Sequence, residues 1–181
     1  MQHGTFFLVV GPSGAGKDTL LQAARERLDG DSLFYFPERL ITRPTDAGGE
    51  DHVPVTDDQF EEMRANGQLL LHWQAHGLCY GIPAAAGDAL GHGRNVVVNV
   101  SRSVLTEARR RYHPVRILAI QVPPDILKAR LLARGREGAA DVERRLQRAA
   151  AFDVTGDDVT LIQNEGSLET TVGRFLAALT L

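Results

Sequence analysis

Cysteine is nearly absent from this chain, since Cys79 is the only one among 181 residues. A single thiol excludes an internal disulfide bond and a zinc site built from several cysteines. His52, His72 and His76 lie in one stretch, but no cysteine or carboxylate completes a metal-ligand set of the usual spacing. We therefore predict a protein of a reducing compartment without a zinc site.

An excess of positive charge is also lacking, because 20 Lys and Arg stand against 23 Asp and Glu, for a net charge of −3. This balance argues against nucleic-acid binding, and the run Arg109–Arg111 is interpreted as a solvated helix face. No apolar run reaches the ~18 residues that a membrane-spanning helix needs. The start, MQHGTFFLVV, has no charged leader of the kind that opens a signal peptide. The sequence thus predicts a cytoplasmic protein with no nucleic-acid or membrane partner.

Apolar runs alternate with longer amphipathic segments, which is typical of an α/β protein with a mainly parallel central sheet flanked by helices. The predicted strands are Thr5–Val10, Leu33–Ile41, a hairpin around Leu69–Tyr80, Arg94–Val100, Arg116–Val122 and Val159–Gln163. The predicted helices are Asp18–Leu28, Asp57–Ala65, Ser103–Arg111, Pro124–Arg134, Ala140–Phe152 and Ser167–Leu179. We expect a single domain with a core of residues 1–41 and 84–181, a polar insert at 42–83 and a mobile lid at about 134–141.

The stretch GPSGAGKDTL, Gly11–Leu20, follows a predicted strand and opens a predicted helix. Glycines in this context let successive backbone N–H groups converge on a phosphate, and the helix N-terminus adds the positive end of its dipole. A lysine at the position of Lys17 bridges the β- and γ-phosphates of a bound nucleotide. The stretch therefore predicts an ATP-binding phosphate loop formed by Gly11, Pro12, Ser13, Gly14, Ala15, Gly16, Lys17, Asp18 and Thr19. The alternative is a glycine-rich turn that holds no ligand.

Asp18 occupies the position where the loop pattern requires the hydroxyl of a serine or threonine, which ligates Mg²⁺. A carboxylate in the first turn of a helix is stabilised by the dipole, by about 0.3–1 kcal/mol. A carboxylate oxygen is also a good ligand for a hard cation. Asp18 is thus either a helix first-turn acid or a magnesium ligand.

Taken together, the motifs resemble the guanylate-kinase-like family of P-loop kinases along nearly the whole chain. They are GPSGAGK at Gly11–Lys17, ITR at Ile41–Arg43, FEE at Phe60–Glu62, HG…YG at His76–Gly81, PPDILKARLLARG at Pro123–Gly135, ERRLQRA at Glu143–Ala149 and QNEG at Gln163–Gly166. The resemblance implies a P-loop kinase fold that transfers the ATP γ-phosphate to a phosphate of a small acceptor under a closing lid. It also implies that Arg130, Arg134 and Arg145 clamp the migrating phosphoryl group, with Lys17, Arg134 and Arg145 as the catalytic residues.

Two positions that read guanine in a guanylate kinase are changed here. The family uses a glutamate and a hydroxyl residue, and the corresponding positions hold Leu71 and Ile82. Aliphatic side chains offer no partner to the polar edge of guanine, so its desolvation would be uncompensated. By resemblance, Arg43 and Tyr80 still hold the acceptor phosphate, although the family's second arginine is missing. Guanylate is therefore not the expected acceptor.

The family usually has acidic residues at the end of the next strand, where this chain has Asn99 and Ser101, followed by Arg102. The loss of these carboxylates makes the acceptor pocket more positive, and Arg39 lies four residues before Arg43 in an extended segment, so the two share a face. We interpret Asp18 as a compensating carboxylate for Mg²⁺. The expected substrate-binding residues are Arg39, Arg43, Tyr80, Asn99, Ser101 and Arg102.

These departures resemble one branch of the family, the ribose 1,5-bisphosphate phosphokinases, through GPSGAGKD, RLITR, WQAHG and VNVSR. The resemblance implies that ATP and ribose 1,5-bisphosphate are converted to ADP and 5-phospho-α-D-ribosyl 1-diphosphate, with Mg²⁺, in phosphonate degradation. Two alternatives remain: a kinase for another nucleoside monophosphate, and a guanylate-kinase-like module that only binds proteins. A homodimer is left open as a further partner.

Overall fold

The computed structural model describes residues 3–44, 51–133 and 138–180, without the side chain of residue 139. Nine strands are present in these ranges: β1 (Phe6–Val10), β2 (Phe34–Tyr35), β3 (Leu40–Ile41), β4 (Val53–Pro54), β5 (Leu69–Ala75), β6 (Leu78–Pro83), β7 (Asn95–Asn99), β8 (Val115–Gln121) and β9 (Val159–Gln163). One sheet has the strand order β2-β7-β1-β8-β9 and the other the order β4-β3-β6-β5. Pairing is parallel between β2 and β7 and between β8 and β9.

Seven α-helices alternate with these strands in the described ranges: α1 (Lys17–Arg27), α2 (Asp57–Ala65), α3 (Ala85–Gly91), α4 (Leu105–Arg111), α5 (Pro124–Ala133), α6 (Ala139–Ala150) and α7 (Leu168–Ala178). The start of α2 is fixed by a capping box, in which Thr56 and Gln59 satisfy each other's backbone N–H groups. The start of α7 is fixed by Ser167, whose hydroxyl accepts from the N–H of Thr170. The α/β fold class predicted from the sequence is therefore confirmed.

Residue contacts divide the chain into two compact units. The first comprises residues 3–7, 30–44 and 51–115 of the described chain and contains the antiparallel hairpin β5–β6, with β3 paired antiparallel to β6. On one face of this sheet, Leu40, Phe60 and Leu69 form a buried cluster that anchors α2. Successive side chains of a strand point to opposite faces, so the strand neighbours of Leu40 and Leu69 face the other side of this sheet.

The second unit comprises residues 8–29 and 116–180 of the described chain. Helices α5 and α6 pack through Leu127, Leu131 and Val142, which are all buried. Helix α1 is linked to α7 by a two-pronged hydrogen bond from Arg27 to the carboxylate of Glu169, at 2.7 and 2.9 Å. The two helices that follow β8, α5 and α6, are therefore held together by an apolar contact.

Two predicted elements differ from the structure. The segment Leu33–Ile41, predicted as one strand, forms two short strands in different sheets, because β2 pairs with β7 and β3 pairs with β6. The helix predicted at Ser103–Arg111 begins as a 3₁₀ turn at Arg102–Val104 before α4. Helix α3 and strand β4 were not predicted. The single-domain organisation with an insert at 42–83 stays a prediction, and half of the expected lid, residues 134–137, lies outside the described residues.

No helix in the described part of the chain has both the length and the apolar composition that a membrane crossing requires.

Candidate active site

The loop between β1 and α1 can be built only with glycine at several positions. Gly14 and Gly16 have φ angles of 86° and 87°, in the left-handed region that other residues rarely adopt. A Cβ atom at Gly11 would lie 2.9 Å from the carbonyl oxygen of Ile120, closer than real contacts allow. The glycines predicted to shape a phosphate loop are thus required by the backbone itself.

The amide of Asn164 supports this loop from the end of β9. Asn164 is buried, and its Nδ2 donates to the carbonyl oxygen of Ala15 at 2.6 Å. Its own backbone N–H donates to Gln121 at 2.7 Å, which fixes Asn164 to β8. A Cβ atom at Gly16 would lie 2.7 Å from the same Nδ2 atom. Asn164 therefore positions the loop, a role that the matched motif QNEG did not reveal from the sequence.

The ammonium group of Lys17 bends back over the loop. Its Nζ donates to the carbonyl oxygens of Gly11 and Pro12 at 2.9 and 3.0 Å. The side chain is half-buried, and α1 begins at this residue. The positive charge is thus held beside the helix N-terminus, where backbone N–H groups attract anions.

Asp18 and Thr19 are exposed in the first turn of α1. Mg²⁺ in kinases is usually bound by one or two carboxylates together with substrate phosphates and waters. Asp18 offers one such carboxylate next to Lys17, and no group of three or more His, Cys, Asp or Glu in the described ranges is placed to hold a metal by itself. This donor set fits a metal that is bound together with a nucleotide.

Two of the three expected lid arginines approach the loop. Arg145, on α6, donates through Nη1 to the hydroxyl oxygen of Ser13 at 3.0 Å. Arg130, on α5, donates through Nη2 to the carbonyl oxygen of Asn164 at 3.4 Å. Arg134 lies outside the described residues. The loop thus has guanidinium groups from two helices close to it, because Arg145 contacts Ser13 and Arg130 Nη1 lies 3.9 Å from the position of a Cβ atom on Gly16.

The neighbouring Arg144 has a different partner. Its Nη2 is hydrogen-bonded to the carboxylate of Asp141 one turn earlier on α6, on an exposed surface. This guanidinium holds the pKa of Asp141 below its ordinary value, through the hydrogen bond first and the opposite charge second. Successive arginines on α6 therefore separate into one that contacts Asp141 and one, Arg145, that contacts the loop.

The residues expected to hold the acceptor lie in the other unit, around β3 and β6. Tyr80 is half-exposed and stacks on Trp73, with ring centroids 5.4 Å apart and an interplanar angle of 4°. The guanidinium carbon of Arg39 lies 5.6 Å from the centroid of the Tyr80 ring. Arg39 also donates to the carbonyl oxygen of Asn99 at 3.4 Å. The structure thus brings three expected acceptor residues, Arg39, Tyr80 and Asn99, into contact.

Arg43 follows β3 and is held by His52, which is buried. The Nε2 of His52 lies 2.7 Å from the Arg43 carbonyl oxygen, which can only accept, so this nitrogen is the donor. The other ring nitrogen, Nδ1, lies 3.5 Å from Arg43 Nη2, which can only donate. Thr42 fixes the backbone beside it, because its hydroxyl oxygen accepts from Cys79 N at 2.8 Å. His52, which we considered only as a metal ligand, thus orients an expected substrate arginine.

Leu71 and Ile82 are direct cross-strand partners in β5 and β6. Both are fully buried, with no exposed surface. Their side chains pack on the same face as Trp73 and Tyr80, because residues directly opposite or two apart share a face. The positions that read guanine in a guanylate kinase are therefore occupied here by an apolar contact with no polar group.

Asn99, Ser101 and Arg102 lie at the carboxyl end of β7. Asn99 is buried, whereas Arg102 is exposed. The hydroxyl oxygen of Ser101 accepts from the N–H of Ser103 at 3.2 Å and caps the 3₁₀ turn. Their role in substrate binding stays a prediction, and Ser101 has a structural role in addition.

Three comparisons with known proteins show what this chain is similar to. A family model described as AAA domain matches residues 8–150. A protein of Acidiphilium cryptum named ribose 1,5-bisphosphate phosphokinase PhnN is 51% identical, over 98% of this chain and 93% of its own length. One of the same name from Brucella melitensis is 43% identical, over 96% and 90%. The crystal structure of guanylate kinase from Anaplasma phagocytophilum has a TM-score of 0.69 at 19% identity, covering 99% of this chain and 86% of that one.

The structural likeness confirms the P-loop kinase fold, and the identity over nearly the full length of both relatives is far above what a shared fold alone requires. By these matches, and with a phosphate loop whose glycines the backbone requires, the chain belongs to the ribose 1,5-bisphosphate phosphokinase family.

Proposed function

We propose that this enzyme transfers the γ-phosphate of ATP to ribose 1,5-bisphosphate, forming 5-phospho-α-D-ribosyl 1-diphosphate and ADP. The observation that carries the proposal is the buried pair Leu71–Ile82, which places an apolar contact at the two positions where a guanylate kinase has polar readers of the base. Two cations that suit phosphates are also present, because Arg39 approaches the Tyr80 ring and Arg43 lies next to His52. An acceptor with two phosphates and no base matches this combination.

The reaction needs no general base from the protein, because the attacking oxygen of the 1-phosphate is already ionised. That oxygen forms the new bond to the γ-phosphorus, and the bond from the γ-phosphorus to the β–γ bridging oxygen breaks, leaving ADP. Catalysis then consists of positioning and charge neutralisation. Lys17 and the loop N–H groups hold the donor phosphates, and Arg145 and Arg130 neutralise the migrating group from α6 and α5.

Mg²⁺ bound with ATP would neutralise the β- and γ-phosphates. We propose that Asp18 is its protein ligand, since its exposed carboxylate stands where related loops have a hydroxyl. Phosphonate degradation and the supply of 5-phosphoribosyl 1-diphosphate for NAD synthesis are the proposed context. Location in the cytoplasm and a homodimer remain predictions.

Asp18→Ala should raise the Mg²⁺ concentration needed for half-maximal ATP binding by about 10-fold or more, as losses of groups that support a metal do. The measurement is ATP binding by calorimetry across a magnesium titration, which is independent of turnover. Asp125→Ala is the matched control, because Asp125 is an exposed acid in the first turn of α5. If Asp18→Ala and Asp18→Ser both leave the magnesium dependence unchanged, Asp18 is only a helix first-turn acid.

A coupled assay of ADP release tests the proposed function, with ribose 1,5-bisphosphate, GMP, AMP and UMP as acceptors. We expect kcat/KM for ribose 1,5-bisphosphate to exceed that for each nucleotide by about 10²-fold or more, since burying the polar edge of a base against Leu71 and Ile82 leaves it without a hydrogen-bonding partner. Turnover of GMP without turnover of ribose 1,5-bisphosphate would show that the interpretation of Leu71 and Ile82 is wrong. A module that only binds proteins would instead bind no ATP. The contacts of Lys17 and Arg145 with the phosphate loop argue against such a module.

A further inference from the structure

Trp73 is the only tryptophan of the chain and is directly opposite Tyr80 in the β5–β6 hairpin. The two rings are nearly parallel, 4° apart in plane and 5.4 Å apart in centroid. Trp73 is only 8% exposed, whereas Tyr80 is half-exposed. A buried ring thus covers one side of a ring that reaches the surface.

Arg39 approaches the same phenol ring, and its guanidinium is 5.6 Å from the ring centroid. Arg39 is itself only 8% exposed, so its charge depends on the surrounding groups for compensation. We call Arg39, Tyr80 and Trp73 the acceptor stack. Ile41, two residues after Arg39, is the cross-strand partner of Tyr80, and Trp73 is the partner of Tyr80 on the other neighbouring strand. The register of the three strands therefore places Arg39, Tyr80 and Trp73 on one face of the sheet.

The orientation of the Tyr80 ring plane determines the direction of its hydroxyl group and which face of the ring lies toward Arg39. A phenol ring rotates about its side-chain bonds unless neighbours restrict it. Among its described contacts, the broad indole of Trp73 is the aromatic surface that lies parallel to it. Loss of that surface would let the ring tilt and would move the guanidinium of Arg39 with it.

From this geometry, and resting on the proposed function, we infer that Trp73 is a positioning residue for the acceptor. It orients Tyr80 and Arg39 toward the phosphates of ribose 1,5-bisphosphate without touching that molecule. The expected effect of Trp73→Leu is a rise of about 10-fold or more in the KM for the acceptor, as for a misplaced positioning contact. The KM for ATP should not change, and Trp73→Phe, which keeps a planar ring, should restore most of the acceptor KM.

Gln74→Leu is the matched control, because Gln74 is exposed on the other face of the same strand. Its acceptor KM should equal that of the wild type. Thermal unfolding of every variant is measured as well, since a residue that only packs would lower Tm without a selective change in KM. A fall in Tm with both KM values unchanged in Trp73→Leu would overturn the inference.

Tryptophan fluorescence gives a second measurement, because every photon emitted by tryptophan comes from Trp73. Ribose 1,5-bisphosphate does not absorb where tryptophan does, so its titration reports the acceptor stack directly. We expect the emission to change on saturation with this acceptor in the wild type and to change far less in Tyr80→Leu. An emission that the acceptor leaves unaltered in the wild type would also overturn the inference.

The outcomes separate this inference from the proposed function. If the wild type turns over ribose 1,5-bisphosphate and Trp73→Leu has the same acceptor KM, the inference alone is wrong. If the wild type turns over only a nucleotide, the proposed function is wrong, and the same variants are compared with that nucleotide. Equal KM values in that comparison would overturn the inference too.

Discussion

Replacing Lys17 with methionine is expected to lower the rate of phosphoryl transfer by about 10³-fold. Methionine keeps an unbranched side chain of similar length but removes the charge that lies 2.9 Å from the Gly11 carbonyl oxygen and 3.0 Å from that of Pro12. In a loose transition state the negative charge on the migrating group and on the leaving oxygen is balanced by fixed cations. Removal of one preorganised donor from such a site costs about 10²–10³ in kcat.

The chain supplies a matched control for this experiment. Lys128 is the other lysine of the chain and is exposed on α5, so Lys128→Met changes the same charge at a surface site. We expect that variant to have wild-type kcat. Steady-state ADP release at saturating ATP measures both variants, and Tm shows whether Lys17→Met remains folded. A Lys17→Met enzyme with a rate within 10-fold of the wild type would mean that the loop holds phosphate through its N–H groups alone.

The elements that sequence analysis located well have local signals. The bounds predicted for α2, Asp57–Ala65, agree with the structure, because the capping box of Thr56 and Gln59 begins the helix. The bounds of β9, Val159–Gln163, agree as well. The phosphate loop is equally local, since its conformation depends on glycines within six residues of one another. Signals of this kind are carried by the residues themselves.

The elements that were missed depend on distant contacts or have weak propensity. Nothing within Leu33–Ile41 shows that β2 pairs with β7 while β3 pairs with β6. Helix α3 contains Gly87 and Gly91, and glycine is unfavourable inside a helix. A Cβ atom at Gly87 would lie 2.8 Å from a methyl carbon of Leu70, which is the movable end of that side chain, so packing does not strictly require glycine there. The two glycines therefore hide this helix from sequence analysis.

The residues of the candidate site also fall into two groups, those that sequence motifs identified and those that only the fold identifies. Lys17, Arg130 and Arg145 were identified by motif, and the structure places all three at the loop. Asn164 lies 149 residues from the carbonyl that it holds, and only the fold reveals that contact. His52 is near Arg43 in sequence, but its role depends on a tautomer that the carbonyl acceptor determines. Sequence motifs therefore identified the residues expected to contact substrates, but they did not identify Asn164 and His52, which hold those residues or the loop in place.

Arg145→Ala is the second change for which we expect a large effect, a fall in kcat of about 10²–10³-fold. The guanidinium of Arg145 donates to the Ser13 hydroxyl, so it is held at the loop that receives the donor phosphates. Its contribution should be greatest in the transition state, because charge spreads over the phosphoryl oxygens there. We therefore expect kcat to fall much more than the affinity for ATP.

Arg144 makes this experiment specific, since it is adjacent on the same helix but is hydrogen-bonded to Asp141 on an exposed surface. Arg144→Ala removes the same atoms and should leave kcat within about twofold of the wild type, as surface pairs contribute little. Arg145→Lys distinguishes charge from shape: a lysine keeps the charge but not the planar pair of donors, so it should restore only part of kcat. The measurements are single-turnover rates with calorimetric ATP affinities. Equal losses in Arg144→Ala and Arg145→Ala would mean that α6 acts through its net charge, and the contact with Ser13 would then have no catalytic role.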